Sequence, residues 1–175
     1  MTQNQSKPWN SEESSELYGV SDWSSDYFGI STEGNAVAKV QFGDSLVEVP
    51  LIDIVEGMKE RGLNMPAILR IDNLLDQRIK QLNDSFANAI KQANYQNVYR
   101  GVFPIKVNQQ CHVIEEIADF GRHYHYGLEA GSKAELTIAL SQLKDHDSLI
   151  ICNGYKDTEF IDLGLYAIQM LSLIH

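Results

Sequence analysis

The pattern of apolar positions divides the chain near residue 51. Within residues 17–50 the pattern is extended, with two strands joined at a Glu33-Gly34-Asn35 turn and a third alternating stretch, LVEVP, ending at Pro50. Apolar residues at helical spacing follow over residues 51–61. The pattern therefore predicts a short β-rich segment at 17–50, which we expect to be part of a β domain, and a second region from residue 51.

From residue 65 onward, strand and helix patterns alternate four times with short links. Strands are predicted at 65–71, 98–107, 124–129 and 148–153. Helices are predicted after them: a long one with an apolar stripe from Leu75 to Ala93, then 111–119, 132–143 and one from about residue 157. This rhythm is typical of parallel βα units and predicts an α/β fold.

Composition narrows the possible partners. The chain has 24 acidic and 14 basic residues among 175, a net charge of −10, which disfavours binding to nucleic acids and to anionic membranes. Residues 1–16 are polar and resemble neither a signal peptide nor a folded segment, so we expect a disordered tail and a cytoplasmic protein. The two cysteines, Cys111 and Cys152, belong to no CxxC pair and are expected to be buried, reduced thiols.

One lysine lies within an apolar segment of the sequence. In GVFPIKVNQQ (101–110), Lys106 falls within an apolar run that is predicted to be a strand. Alternation along that strand places Phe103, Ile105 and Val107 on one face and Lys106 on the other, near the carboxyl end where parallel barrels carry their active sites. A neutral lysine amine there can form a Schiff base with a carbonyl compound. Alternatively, Lys106 extends to solvent or pairs with Glu129.

Three ordered blocks carry a resemblance to a known family. The segments GVFPIKVNQQ, GLEAGSKAEL (127–136) and LIICNGYKD (149–157) resemble those of biosynthetic arginine decarboxylases, and the similarity extends from about residue 17 to residue 162. Such enzymes combine an alanine-racemase-like barrel with a β domain. The resemblance implies that residues 51–175 are the N-terminal half of a pyridoxal-phosphate-binding (β/α)8 TIM-type barrel, with about four βα units.

The resemblance also implies roles. Lys106 would carry pyridoxal 5'-phosphate covalently, and L-arginine would be converted to agmatine and CO₂ in polyamine biosynthesis, with the cofactor supplying the chemistry. Glu129 would lie near the attachment point and stabilise a protonated nitrogen, or alternatively cap the helix that starts near Ser132. Mg²⁺ and a homo-oligomeric full-length enzyme are further implications. The resemblance gives Glu135 and Lys156 no firm role. Asn153 and Gly154 form the turn after the fourth predicted strand, where either a structural or a functional role fits.

The end of the chain departs from the family pattern. The sequence LGLYAIQMLSLIH (163–175) no longer resembles the family, and eight βα units need about 250 residues. We therefore expect an N-terminal fragment that is inactive alone. The alternatives are a non-catalytic remnant of a truncated or frameshifted gene, and another barrel protein with a pyridoxal-phosphate lysine.

A metal site is not predicted. His123 and His125 share one face of a predicted strand and could bind a metal together, but the sequence offers no third clear ligand.

Overall fold

The computed structural model describes residues 8–172, and their side chains as far as Gln169. It is an α/β structure whose described residues fall into two compact units, divided between Leu74 and Leu75. The sequence pattern had placed the boundary of the second region at residue 51.

The first unit combines a small antiparallel sheet with three helices. Its strands are β1 (Phe28–Ile30), β2 (Ala36–Phe42) and β3 (Ser45–Pro50), paired in the order β1-β2-β3. Its helices are α1 (Ser11–Leu17), α2 (Val20–Ser24) and α3 (Leu51–Glu60). The buried Val37 and Ala38 on β2 lie at the centre of the sheet. The three strands and α3 confirm the pattern predicted for residues 28–61.

The start of this unit corrects two predictions. Residues 1–7 of the predicted disordered tail lie outside the described residues, but residues 11–16 are helical, not disordered. The Asn10 side chain caps this helix by accepting a hydrogen bond from the Glu13 backbone N–H at 2.8 Å, and acidic residues in the first turn suit its dipole. Val20–Ser24 is also helical, where extended chain was expected.

The second unit contains a parallel sheet with helices between its strands. The strands are β4 (Val102–Pro104), β5 (Gly127–Ala130) and β6 (Ile150–Cys152), in the order β4-β5-β6. The helices are α4 (Asp72–Gln92), whose first three residues fall in the first unit, α5 (Cys111–Gly121), α6 (Lys133–Gln142) and α7 (Thr158–Ser172). A strand-helix order with consecutive strands side by side is the arrangement predicted for parallel βα units.

Apolar side chains from the helices cover this sheet. Ile79 of α4, Ile114 and Ile117 of α5, and Leu128 of β5 belong to one buried cluster. A second cluster joins Ala130, Leu136 and Phe160, and so connects β5, α6 and α7. The sheet is therefore held by apolar contacts from several helices.

Three predicted strands differ from the structure. The strand predicted at 124–129 begins only at Gly127, because Arg122–Tyr124 form a 3-10 helix. Residues 65–71 form no strand with any described residue, and their side chains are mostly exposed. The strand predicted at 98–107 is paired only over Val102–Pro104. Pro104 has no N–H to extend the ladder, and the chain turns into a 3-10 helix at Ile105–Val107. Val107 is consequently exposed, against the prediction that it would pack under the helices.

The cysteines are free, as expected, but neither is buried. Cys111 begins α5, and its thiol lies 3.2 Å from the Glu115 carboxylate. That hydrogen bond and the negative charge of Glu115 raise the pKa of the Cys111 thiol. Cys152 ends the edge strand β6, which has no described strand on its outer side.

None of the helices among residues 8–172 combines the length and the apolar character that a bilayer crossing requires.

Leu128 offers a test of the second unit's core. Its side chain is fully buried, so Leu128→Ala should lower the free energy of unfolding by about 3 kcal/mol through lost burial and the cavity left behind. Leu165→Ala serves as the matched control, because Leu165 is 54% exposed. Urea unfolding of both variants measures the difference. Equal losses would show that Leu128 does not lie in the core described here.

Candidate functional site

The carboxyl ends of the three parallel strands bring a small polar group together. Residue pairs Pro104–Glu129 and Ala130–Cys152 are in register across β4, β5 and β6. Lys106, Glu129 and Asn153 therefore lie at the same edge of the sheet, although they are far apart in sequence. In parallel α/β sheets this edge is where ligands bind.

Lys106 is presented by a turn and not by a strand. The 3-10 helix Ile105–Val107 follows β4 directly, and the Asn108 N–H donates to the Ile105 carbonyl at 3.1 Å. Ile105 is completely buried in the core, whereas 62% of the Lys106 side chain is exposed. The buried isoleucine anchors the turn, so the neighbouring amine is left accessible to a ligand.

Glu129 faces Lys106 from the next strand. One of its carboxylate oxygens, Oε1, lies 3.8 Å from Lys106 Nζ, and 17% of its side chain is exposed. The same oxygen accepts a hydrogen bond from Asn153 Nδ2 at 3.1 Å. The structure thus contains both features that the sequence offered as the alternative to a Schiff-base lysine, exposure to solvent and pairing with Glu129. It adds the amide contact from Asn153, which sequence reasoning missed.

The loop after β6 approaches the loop after β5 closely. Gly154 has a φ of +75°, and a Cβ at this position would lie 2.7 Å from the Gly131 carbonyl oxygen. The Asn153 N–H donates to the Ala130 carbonyl at 2.8 Å, and Lys156 Nζ donates to the Gly154 carbonyl at 3.1 Å. The Asn-Gly pair was recognisable as a turn in the sequence, but its contact with Glu129 was not.

Glu135 has a capping role that the sequence did not reveal. The Ser132 hydroxyl accepts a hydrogen bond from the Glu135 N–H, and the Glu135 carboxylate in turn accepts one from the Gly131 N–H at 2.7 Å. This reciprocal arrangement closes the start of α6 in the manner of a capping box. The alternative that Glu129 caps this helix is therefore wrong.

An ion-pair network joins the starts of α6 and α7. Lys133 Nζ lies 2.5 Å from a Glu159 carboxylate oxygen and 2.9 Å from one of Asp157. These hydrogen bonds raise the pKa of Lys133. The hydrogen bond from Lys133 in turn lowers the pKa of Asp157. All three groups are substantially exposed, so we expect a small contribution to stability.

A second polar group lies at the opposite edge of the sheet, before β5 and β6. His125 Nδ1 is 2.9 Å from Asp145 Oδ2 and 3.9 Å from Asp147 Oδ2. Potential ligand atoms of these three residues lie within 4.8 Å of one another. His123, which the sequence offered only as a possible second ligand beside His125, is not part of this group. It lies in a 3-10 helix (Arg122–Tyr124) and contacts the Phe120 ring edge-on. The Asp145 contacts link the loop before β6 to the residues before β5.

Comparison with known families gives a match over half of the chain. The family described as "Pyridoxal-dependent decarboxylase, pyridoxal binding domain" matches residues 77–169. This range contains Lys106, Glu129 and Asn153.

Individual relatives extend the similarity to nearly the whole chain. The biosynthetic arginine decarboxylase of Gloeobacter violaceus is 48% identical over 91% of this chain and 24% of that protein. One from Prochlorococcus marinus is 47% identical over 93% of this chain and 25% of that protein. The crystal structure of the biosynthetic arginine decarboxylase SpeA from Campylobacter jejuni has a TM-score of 0.79 at 33% identity, covering 87% of this chain and 25% of that one. The chain thus spans about a quarter of the length of these relatives.

The Asp145 contacts predict a pH-dependent contribution to stability. Partial burial raises the pKa of Asp145, but hydrogen bonds from Ser148 and His125 outweigh it and hold this pKa below the ordinary carboxyl value. A carboxyl whose folded pKa is depressed stabilises the fold above its unfolded pKa and loses that effect as the pH falls through the folded pKa. Asp145→Asn should therefore lower the free energy of unfolding by about 1 kcal/mol at neutral pH, with the difference shrinking in acid.

Asp147→Asn is the control for this prediction, because Asp147 is 74% exposed and lies 3.9 Å from the His125 ring nitrogen. Urea unfolding at a series of pH values measures both variants. A deficit in Asp145→Asn that stays constant down to strongly acidic pH would contradict the assigned role of the charge.

Proposed function

This chain belongs to the pyridoxal-dependent decarboxylase family, and we propose that it supplies the cofactor-bearing lysine, Lys106, of an arginine decarboxylase. The observation that carries the proposal is the accessible Lys106 amine, which is paired with a carboxylate at the carboxyl edge of a parallel sheet. This position lies inside the region matched to the pyridoxal-binding domain.

The residues present fit the attachment of an aldehyde cofactor. Lys106 offers a primary amine that is 62% exposed, and Glu129 provides a negative charge beside it. Pyridoxal 5'-phosphate, when bound, supplies the electron-withdrawing ring that makes loss of CO₂ from an amino acid possible. We assign no described residue to its phosphate group or its ring.

Glu129 acts on the charge of the attached nitrogen. A carboxylate 3.8 Å from Nζ stabilises a positive nitrogen at that position by Coulomb attraction. Because Lys106 is largely exposed, water screens this attraction and keeps it weak. The role we propose for Glu129 is therefore to keep a proton on the Lys106 nitrogen and not to hold the cofactor by itself.

The assignment of the substrate is based on the names of the relatives. We propose L-arginine as the substrate, agmatine and CO₂ as the products, and polyamine biosynthesis as the pathway, since the compared relatives are named biosynthetic arginine decarboxylases. We further propose that β4, β5 and β6 with their helices are part of a (β/α)8 barrel, in a homo-oligomeric full-length enzyme. The parallel pairing of these three consecutive strands supports the barrel, and the homo-oligomer rests on the resemblance to the decarboxylase family. Mg²⁺ is assigned to no described residue.

Covalent labelling tests the role of Lys106. The chain is incubated with pyridoxal 5'-phosphate, reduced with borohydride and digested, and the modified lysines are identified by mass spectrometry. We expect Lys106 to be the preferred site, and Lys106→Ala to lose the main adduct, because the amine is the group that forms the bond.

Lys144 is the matched control for Lys106. It is 68% exposed and lies 3.9 Å from the Asp119 carboxylate, close to the 62% exposure of Lys106 and its 3.8 Å distance from Glu129. Lys144→Ala should leave the adduct pattern unchanged at Lys106. Labelling of the two lysines in equal amounts would refute a dedicated cofactor lysine at position 106.

A chimeric enzyme tests the substrate. This chain replaces the aligned quarter of one of the arginine decarboxylase relatives, and agmatine release from L-arginine is followed together with release of product from L-ornithine and L-lysine. We expect arginine decarboxylation that is abolished by Lys106→Ala and retained in Lys144→Ala. A folded chimera that binds the cofactor at Lys106 without releasing agmatine would contradict the proposed reaction.

A further inference from the structure

We propose that Asn153 is a positioning residue, which holds the Glu129 carboxylate beside the Lys106 nitrogen so that this nitrogen keeps its proton when the cofactor is attached. The inference rests on the proposed function, because it concerns the atom to which the cofactor would be joined. It gives a specific role to a turn residue for which the sequence left a structural and a functional role equally open.

Both ends of the Asn153 side chain are engaged. Nδ2 donates to Glu129 Oε1 at 3.1 Å, and Oδ1 accepts from the Gly154 N–H at 2.8 Å. Rotating the amide by 180° would place its oxygen against the Glu129 carboxylate and its NH₂ against the Gly154 N–H. Both contacts would be repulsive, so the two neighbours fix the orientation of the amide.

The backbone beneath Asn153 is also fixed. Its N–H donates to the Ala130 carbonyl at 2.8 Å, which continues the pairing of β5 with β6. The next residue, Gly154, approaches the Gly131 carbonyl too closely for any side chain to fit. The Asn153 amide is therefore held against the end of β5, where Glu129 lies.

Glu129 depends on this contact for its position. The distance of 3.8 Å from Oε1 to Lys106 Nζ is longer than a direct hydrogen bond, so the interaction is a charge attraction without strong directional preference. The hydrogen bond from Asn153 is made to the same oxygen. Asn153 thus supplies the directional contact that the lysine does not.

The charged groups on the neighbouring elements have other contacts. The Glu135 carboxylate of α6 accepts from the Gly131 N–H, and Lys156 Nζ contacts the Gly154 carbonyl. At the starts of α6 and α7, Lys133 pairs with two carboxylates, those of Asp157 and Glu159. We therefore attribute to Glu129 the effect of negative charge on the Lys106 nitrogen.

The test is the pH dependence of the visible absorbance of the 175-residue chain with pyridoxal 5'-phosphate. The spectrum of Lys106→Ala under the same conditions is subtracted to remove adducts at other lysines. The pH midpoint of the remaining spectral change reports the proton on the attached nitrogen. Asn153→Ala should lower this midpoint by about half a pH unit, roughly a threefold loss of proton affinity.

A double-mutant cycle shows whether Asn153 acts by positioning the Glu129 carboxylate or by a wider effect on the structure. Glu129→Gln removes the charge and should also lower the midpoint. Adding Asn153→Ala to Glu129→Gln should then lower the pH midpoint no further, because Asn153 acts through the Glu129 carboxylate. Asn108→Ala is the control: Asn108 is also an asparagine near Lys106, but its Oδ1 accepts from the Gln110 N–H, and its loss should leave the midpoint in place.

Asn153→Ser distinguishes loss of the contact with Glu129 from a folding defect caused by Asn153→Ala. A serine hydroxyl can still accept from a nearby backbone N–H and support the turn, but it is too short to reach Glu129. It should lower the midpoint as alanine does while circular dichroism stays unchanged. Rate measurements of decarboxylation are not needed for any of these comparisons.

Three outcomes are distinguishable. Absence of a Lys106 adduct in the unsubstituted chain would overturn the proposed function, and this inference with it. An adduct at Lys106 whose midpoint is the same in the unsubstituted chain, Asn153→Ala and Asn153→Ser would overturn the positioning role alone. An Asn153→Ala effect of equal size with and without the Glu129 charge would also overturn it.

Discussion

Parallel pairing of three short strands is the constraint on which the candidate site depends. Each strand contributes only three or four residues, yet the register of β4 with β5 and of β5 with β6 brings their carboxyl ends to one edge. Lys106, Glu129 and Asn153 are far apart in sequence and meet because of that register. A shift of one residue in any strand would reverse which side chains face each side of the sheet.

Local backbone and packing features determine which side chains come into contact at the carboxyl edge of the sheet. Ile105 is fully buried and holds the turn that leaves Lys106 exposed. Gly154 permits the loop after β6 to touch the Gly131 carbonyl, so that Asn153 reaches Glu129. The capping of α6 by Ser132 and Glu135 completes the loop after β5. Small backbone requirements therefore decide which polar groups meet.

Apolar periodicity was sufficient to predict the α/β class, the antiparallel strands of the first unit and the helices of the second. Apolar periodicity failed where the hydrogen-bonded pairing of strands, and not the apolar pattern, decides the structure. Residues 65–71 have the composition of a strand but no described strand beside them. At Pro104 the missing N–H ended a strand that alternation had extended through Lys106. Lys106 and Glu129 were proposed from the sequence, whereas the Asn153 contact required the register.

The central claim is that Lys106 is the residue that bears the cofactor at the carboxyl edge of this sheet. A crystal structure of the protein prepared with pyridoxal 5'-phosphate tests it most directly. We expect electron density continuous from Lys106 Nζ to the cofactor, with Glu129 beside the nitrogen and Asn153 hydrogen-bonded to Glu129. A well-ordered cofactor joined to another lysine, or bound at this edge with Lys106 directed away from it, would show that Lys106 is not the cofactor-bearing residue.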